Sequence, residues 1–411
     1  MRKGQFEARL LLLVSFALVA FGLVMVYSAT SASAALQNGD PAYYVKRQAI
    51  YAGLGLVLMF MLARLRFAAL RRLAPTLVVT SLVLLAAVLV VGQAVNGARR
   101  WLTFGPFVFQ PSEFAKLALA VWAAAFVARR RPPMTLKQVW RPVGALASLY
   151  AALLLLEPDL GTAITIFLML AGMLLISGTP VRALGGGLSI AAALGLVAIW
   201  FEPYRRARIF AFVNPWPDAQ GAGFQIVQAM IGLGSGGPFG VGLGQSVQKA
   251  NYLPEAHTDM IFAIIGEELG LVGTTALIAA YVIFAYVGFR IALRCRDPFG
   301  KALASGLTIL VCGQAAINLA AVMGLAPLTG IPLPFVSYGG SSLIVALAAV
   351  GILLNIAVGH GGEARAGVRD RGRGDGGART AGARRRRGAA GARRPRELRR
   401  VAGSRRSAAR S

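Results

Sequence analysis

Apolar residues run along this chain in ten long stretches, divided by short polar connections in which arginine, glycine and proline collect. The stretches cover approximately residues 9–29, 46–65, 72–92, 112–128, 143–157, 160–177, 181–201, 259–289, 302–323 and 338–358. A helix needs ~20 apolar residues to cross the hydrocarbon core of a bilayer. The pattern therefore predicts an all-α, polytopic membrane protein with about ten transmembrane helices. Only Glu157-Pro-Asp159 separates the fifth and sixth spans, which requires a tight turn. Two connections are long enough to build a site: residues 93–111, and residues 202–258 between helices 7 and 8.

Composition agrees with this reading. Of 411 residues, 56% are hydrophobic and 14% charged, and the mean hydropathy of +0.64 excludes a soluble fold of this length. Lysine and arginine in short loops set orientation. With the N-terminus in the cytoplasm, the inner connections before the tail carry 17 cations and the outer ones nine, so both termini are expected inside. The first apolar stretch exceeds the ~7–15 residues of a signal-peptide core and is read as a span, although Ser31-Ala-Ser-Ala-Ala35 looks like a cleavage site. Cys295 and Cys312 suggest neither a disulfide nor a metal site.

One integral domain is expected over residues 1–360. The tail, 361–411, holds 17 arginines, four acids and no aromatic residue, a charge of +13 out of +27 for the whole chain. Such a segment cannot bury a core and is expected to be disordered. Anionic lipids of the inner leaflet are its expected partner, each cation near the surface contributing ~1 kcal/mol. Nucleic acid is not expected, because the tail lacks aromatic platforms and a folded reader.

Candidate chemistry collects around Tyr252-Leu-Pro-Glu-Ala-His-Thr-Asp259, at the mouth of the eighth span. An ionisable group held at a lipid boundary is costly unless it is used. Asp259 reads either as an acidic N-cap favoured by the helix dipole or as a general base, with Glu255 and His257 crowding the same spot. Glu267 and Glu268 lie deeper on the same helix and need partners from elsewhere, or else break the helix. At Gln110-Pro-Ser-Glu-Phe-Ala-Lys116, Glu113 and Lys116 are spaced i, i+3 and can pair on one face; a structural ion pair and a substrate contact both fit. Arg99 and Arg100 stand on the outer side against the charge trend, which suggests an anionic ligand, since arginine grips phosphate oxygens bidentately. Glu157 and Asp159 could hold a divalent cation (Mg2+ or Mn2+) through oxygen ligands, or cap span six. Arg205, Arg206 and Arg208 read as headgroup anchors, and Phe224–Ile231 as a short amphipathic interfacial helix. Seven glycines lie between Gly232 and Gly244. No strand precedes Gly232-Leu-Gly-Ser-Gly-Gly237, so it is not a dinucleotide fingerprint; its backbone N–H groups could approach phosphate oxygens.

At these residues the chain resembles the SEDS family (shape, elongation, division and sporulation) of bacterial cell-wall polymerases. The matching segments run in order: Phe21-Gly-Leu-Val-Met-Val-Tyr-Ser28, Asn96-Gly-Ala-Arg-Arg-Trp101, Gln110-Pro-Ser-Glu113 with Lys116, Pro158-Asp-Leu-Gly-Thr162, Asn214-Pro-Trp216, Gly242-Leu-Gly-Gln-Ser-Val-Gln-Lys249, Tyr252 to Gly270, and Pro334-Phe-Val-Ser-Tyr-Gly-Gly-Ser-Ser342. The resemblance covers about 10–358 and is nearer to the division branch than to the elongation branch. Met260 stands where the family usually has Phe.

The resemblance implies a peptidoglycan glycosyltransferase in the bacterial cytoplasmic membrane, acting at the septum on lipid II, a disaccharide-pentapeptide carried on undecaprenyl diphosphate. The family's essential aspartate falls on Asp259, which would deprotonate the 4-hydroxyl of the acceptor sugar. Arg100, Glu113, Lys116, Lys249, Glu255, His257 and Ser337 are the expected substrate-binding residues, with Arg100, Lys116 or a metal neutralising the diphosphate. The implied partners are a class B penicillin-binding protein, since this chain has no transpeptidase module, and other membrane proteins of the divisome. A lipid II flippase and a non-catalytic scaffold for the transpeptidase are the alternatives.

Overall fold

The computed structural model describes residues 4–36, 40–65, 67–95, 98–105, 107–129, 133–249 and 253–359. Asn96, Gly97 and Tyr252, the cations Arg2, Lys3, Arg66, Arg130 and Arg131, and the Arg-rich tail expected to be disordered lie outside the described residues.

The chain runs through α1 (Gln5–Leu36), α2 (Tyr43–Arg64), α3 (Phe67–Val91), β1 (Gln93–Val95), β2 (Ala98–Phe104), β3 (Phe107–Phe109), α4 (Pro111–Arg129) and α5 (Leu136–Val139). A π-helical turn, Trp140–Gly144, joins α5 to α6 (Ala145–Leu156), which is followed by α7 (Leu160–Ile176), α8 (Val181–Trp200), α9 (Pro203–Val213) and α10 (Phe224–Ser235). The last three helices are α11 (Ile261–Arg294), α12 (Pro298–Val322) and α13 (Gly340–Val358).

Among the described residues, nine helices are long and apolar enough to cross a membrane, with α5 and α6 counting as one continuous span. The tenth expected span is α7, whose 17 residues rise ~26 Å at ~1.5 Å each. It follows α6 after the three-residue turn read from the sequence. The all-α, multi-pass membrane fold is thus observed. Helices α4, α12 and α13 form its middle, buried over most of their length, whereas α8 lies at the edge with most of its side chains exposed. Asn355 on α13 donates to the carbonyls of Leu62 and Leu65 at 2.9 and 2.6 Å, satisfying the end of α2 that has no further helical partner.

Residues 93–111 hold a small antiparallel sheet of order β1-β2-β3, an element the apolar pattern does not announce. Leu102 pairs with Phe109, and Phe104 with Phe107 across a two-residue turn. Gly105 supplies the positive φ (59°) that such hairpins favour. The long connection 202–258 contains α9 and α10. Instead of lying free in the interface, α10 buries Ile226, Val227, Ala229 and Gly232, and packs against α11.

Helix α11 is not one continuous span. Gly270 has φ 65° and ψ −157°, which interrupts the helix just after Glu267 and Glu268. An interruption strands backbone groups that must find other partners inside a bundle. Here the glycine-rich loop supplies them: Val241 and Gly242 donate to the carbonyls of Glu267 and Glu268 at 2.9 and 3.0 Å, and Leu271 and Val272 donate to the carbonyls of Gly237 and Pro238 at 2.9 and 3.1 Å. The expectation that this loop offers its N–H groups to phosphate is corrected at Val241 and Gly242, because helix carbonyls already occupy them. A Cβ on Gly270 would lie 2.7 Å from the Gly237 carbonyl oxygen and would collide with the Gly240 nitrogen, so this approach requires glycine.

Gly270→Ala combines that collision with a left-handed backbone, a strain of order ~1–3 kcal/mol. It is expected to lower the thermal unfolding temperature of the purified protein, whereas Gly53→Ala, where a Cβ meets nothing within 4 Å, leaves it unchanged or raised. Equal melting temperatures would show that the break is not held as described.

Candidate active site

One end of the bundle gathers the N-termini of α4, α7, α11 and α13 with the β-sheet. Gln110 donates its N–H to Ser341 Oγ at 3.0 Å, Ser112 Oγ donates to Asp159 at 3.4 Å, and Asn318 Nδ2 donates to the Asp259 carbonyl at 2.7 Å. The end of α12 and the 324–339 connection close the ring.

Asp259 lies here, but not as a cap. Helix α11 begins at Ile261, its N-cap position is Met260, and no side chain caps it. The capping alternative is therefore corrected: the carboxylate is left for other work. Its Oδ1 accepts a 3.3 Å hydrogen bond from Thr258 Oγ1. Gly330 stands beside it, and a Cβ there would lie 3.9 Å from Asp259 Oδ2 and 4.0 Å from Arg208 Nη1. Asp259, Asn318, Thr329 and Gly330 line a shallow indentation too tight to hold a water molecule, beside the exposed Gly330. Burial pushes the Asp259 carboxyl up to about 6; the Arg208 guanidinium pulls it down and Glu255 pushes it further up. With that value, about ten carboxylates exist per acid at pH 7.

Arg208 is the functional neighbour that the sequence reading missed. It sits on α9, donates to the Leu328 carbonyl at 3.0 Å, and lies 4.7 Å from the centre of the Tyr204 ring. Arg205 instead donates to the carbonyls of Ala198 and Leu155, and Arg206 lies over Trp200. Only the helical phase of α9 tells these arginines apart. That phase becomes readable once Pro203 is taken as its first residue.

Glu255 and His257 are near Asp259. Glu255 is exposed, has φ 56°, and accepts from Thr258 Oγ1 at 3.2 Å. His257 packs its ring 4.6 Å from Tyr44 and 5.4 Å from Tyr338, centre to centre, and its carbonyl accepts the Tyr338 N–H at 2.9 Å. Burial lowers its pKa, which favours the neutral ring. Ser337 is buried and turned inward: its Oγ accepts the Leu333 N–H at 2.8 Å, and its carbonyl accepts from Gln48 at 3.0 Å.

The remaining expected ligands are committed elsewhere. Lys249 is buried, 2.9 Å from Glu268, and Ser28 of α1 donates to the same carboxylate at 2.8 and 2.6 Å. Glu267 accepts from Ser246 Oγ and from the N–H groups of Val247 and Gln248. Lys116 is buried between Glu113 at 2.8 Å and Gln314 Oε1 at 3.0 Å. Arg100 donates to the carbonyls of Glu157 (2.9 Å) and Pro158, fastening β2 to the α6–α7 turn. The expectation that Lys116 receives a diphosphate is corrected accordingly, because Lys116 is sealed among helices; Arg100 gives its Nε and Nη2 to two carbonyls.

Glu157 and Asp159 do not suit a divalent cation. Asp159 caps α7 through Thr162 N at 3.0 Å and also accepts from Thr162 Oγ1 at 2.8 Å. Glu157 is fully buried, both carboxyl oxygens lack a hydrogen-bond partner, and the Arg100 guanidinium occupies the adjacent carbonyls. Burial, reinforced by Asp159, pushes Glu157 up to about 8 against the opposing pull of Arg100. Among the described residues no group of three or more His, Cys, Asp or Glu is placed to bind a metal.

Broken helix, buried ion pairs and a rim aspartate on a ten-span bundle define a class of multi-pass membrane protein, and comparison with known proteins identifies it. The profile of the FtsW/RodA/SpoVE family, described as cell cycle proteins, matches residues 8–360, and the chain belongs to this family. It is 42% identical to a probable peptidoglycan glycosyltransferase FtsW of Trichlorobacter lovleyi, over 87% of this chain and 94% of that one. It is 40% identical to stage V sporulation protein E of Bacillus subtilis, over 84% and 96%. A chain from a solved peptidoglycan synthase complex, described as coordinating polymerization and crosslinking, superposes with a TM-score of 0.71 at 36% identity, covering 84% of this chain and 96% of that one.

The Glu157 carboxyl holds its proton more tightly folded than unfolded, so it costs stability as pH rises from about 4.5 through about 8. Glu157→Gln is expected to raise the melting temperature at pH 8 and to change it little at pH 4. An equal effect at both would show that folding does not raise the Glu157 pKa.

Proposed function

We propose that the protein is a peptidoglycan glycosyltransferase that polymerises lipid II at the outer face of the bacterial cytoplasmic membrane during septal wall synthesis. The observation that carries this reading is Asp259: a partly exposed carboxylate that caps no helix, next to the exposed Gly330 and within the field of Arg208, with burial pushing its pKa up to about 6. The names of the relatives support the reaction, and the FtsW name together with the family's description as cell cycle proteins supports a septal role.

In the reaction, Asp259 accepts the proton of the acceptor sugar's 4-hydroxyl as that oxygen attacks the anomeric carbon of the lipid-linked donor, with inversion. The anomeric carbon–oxygen bond breaks, and the diphosphate departs on its polyprenyl carrier with the electron pair. A general base works best when its pKa lies near the operating pH, which burial achieves here, while Arg208 keeps Asp259 mostly ionised. Diphosphate leaves as an anion and needs no proton, so one base suffices. Arg208 is the cation whose charge acts on Asp259, and we assign to it part of the charge that builds on the leaving group.

Residues 1–360 form the integral domain in this reading, with both termini in the cytoplasm and the +13 tail against anionic lipid. A class B penicillin-binding protein is the proposed partner and supplies transpeptidation. Other divisome membrane proteins complete the setting.

The test is glycan polymerisation from purified lipid II, with and without that partner. Wild type is expected to make glycan and Asp259→Ala to lose at least ~100-fold, the scale set by general base catalysis. Lipid flipping without glycan would indicate a transporter, and unaltered glycan synthesis by Asp259→Ala would remove the base.

The acid limb of the pH–rate profile is expected near pH 6, where Asp259 protonates. Arg208→Gln removes the cation that lowers this pKa, so the limb moves to higher pH. A limb unmoved by that change would separate Arg208 from the base.

A further inference from the structure

Helix α12 carries Gln314 and Asn318 four residues apart, on one face. Both are buried, with 4% and 2% of their surface exposed. Gln314 Oε1 accepts from Lys116 Nζ at 3.0 Å, while its Nε2 donates to the Pro332 carbonyl at 3.2 Å. Asn318 Nδ2 donates both to the Ile331 carbonyl at 2.8 Å and to the Asp259 carbonyl at 2.7 Å. Two hydrogen-bonded segments therefore meet at successive loop residues: one runs from the Glu113–Lys116 pair on α4 through Gln314 to Pro332, the other from Ile331 through Asn318 to the backbone of the aspartate.

Chemistry fixes the direction of the first segment. Lysine only donates, so Lys116 takes the Gln314 oxygen and forces the Gln314 N–H2 group toward Pro332. Residues 331 and 332 are successive, and Gly330 beside them forms the floor next to Asp259 Oδ2. Two amides one helical turn apart thus grip the same loop, and the second also grips the base. A buried ion pair by itself is weak evidence for stability, yet here its ammonium sets the orientation of a neighbouring amide.

Building on Asp259 as the base, we propose that Gln314 and Asn318 are positioning residues for it, and that the Glu113–Lys116 pair acts on the reaction by orienting Gln314 rather than by touching substrate. Lys116 would then affect turnover from within the bundle, where a diphosphate cannot reach it. Misplacing a reacting group by ~1 Å can cost ~100-fold in rate, which is the scale on which such a grip acts.

The experiment compares wild type with Asn318→Leu, Gln314→Leu, Gln314→Glu, and the neutral pair Glu113→Gln with Lys116→Met, on purified lipid II with the transpeptidase partner. Gln314→Glu keeps the size and still meets Lys116 but cannot donate to Pro332, so it separates positioning from folding; melting temperatures accompany every variant. The expected result is a ~10–100-fold fall in kcat with KM for lipid II nearly unchanged. Adding the neutral pair to Gln314→Leu should lower kcat no further, because both changes break the same segment. Wild-type kcat in Gln314→Glu, a rise in KM alone, or additive losses would overturn the proposal.

Hydrogen exchange supplies a readout independent of catalysis. Peptides covering residues 255–262 and 328–334 are expected to exchange faster in Gln314→Glu than in wild type, and unchanged exchange would overturn the proposal. The Asp259→Ala comparison tests the base itself, so failure of the relay and failure of the glycosyltransferase reading give different results.

Discussion

The architecture depends on how the interruption of α11 is sealed. Inside a bilayer, stranded N–H and carbonyl groups cost several kcal/mol each unless they are paired. The loop through Gly237 and Gly242 pairs four of them by lying across the break. Once that loop is placed, the segment after it has little freedom. Ser246, Val247 and Gln248 converge on Glu267, and Lys249 reaches Glu268 and Ser28 of α1. The 246–249 segment thereby ties α1 to the first part of α11, immediately ahead of the residues that carry Asp259.

This order explains how charge is distributed. Buried ions within the bundle meet partners: Glu113 with Lys116, Glu268 with Lys249, and Glu7 with Arg290 and Arg294 at the opposite end of α11. Removing one partner of such a pair typically costs ~3–5 kcal/mol, so these residues are strongly constrained even though they bind no substrate in this account. Asp259 differs in lying at the rim with no ion pair among the described residues, where Arg208 lowers its pKa less than burial raises it. A structural pair seals its charge; this residue is only partly covered.

The spans were legible because the hydrophobic effect writes them directly: the apolar runs at 72–92 and 338–358 correspond closely to α3 and α13. The tight turn at Glu157-Pro-Asp159 was equally plain. The β-sheet was not, because Ala98–Phe104 mixes arginines with aromatics and has no long alternation to betray it. Nor was the break at Gly270, since a glycine inside an apolar helix looks like any other until a neighbouring loop takes the released backbone groups. Within the site, spacing singled out Asp259 and paired Glu113 with Lys116. It could not separate partners from ligands: Lys249, Lys116 and Arg100 carry the charge a phosphate wants, and three-dimensional packing gives that charge to carboxylates and carbonyls instead. Arg208 escaped for the converse reason, as its role rests on the phase of a short helix and on a loop more than a hundred residues away.

The proposed role of Asp259 requires its side chain to meet the aqueous face where lipid-linked sugars are joined. Its most direct test is labelling of Asp259→Cys, after replacing Cys295 and Cys312 with alanine, by a membrane-impermeant maleimide in cells whose outer layers have been made permeable. Labelling from outside, slowed by added lipid II, is the predicted result. Labelling only from the cytoplasmic side, or none until the protein is denatured, would contradict the account.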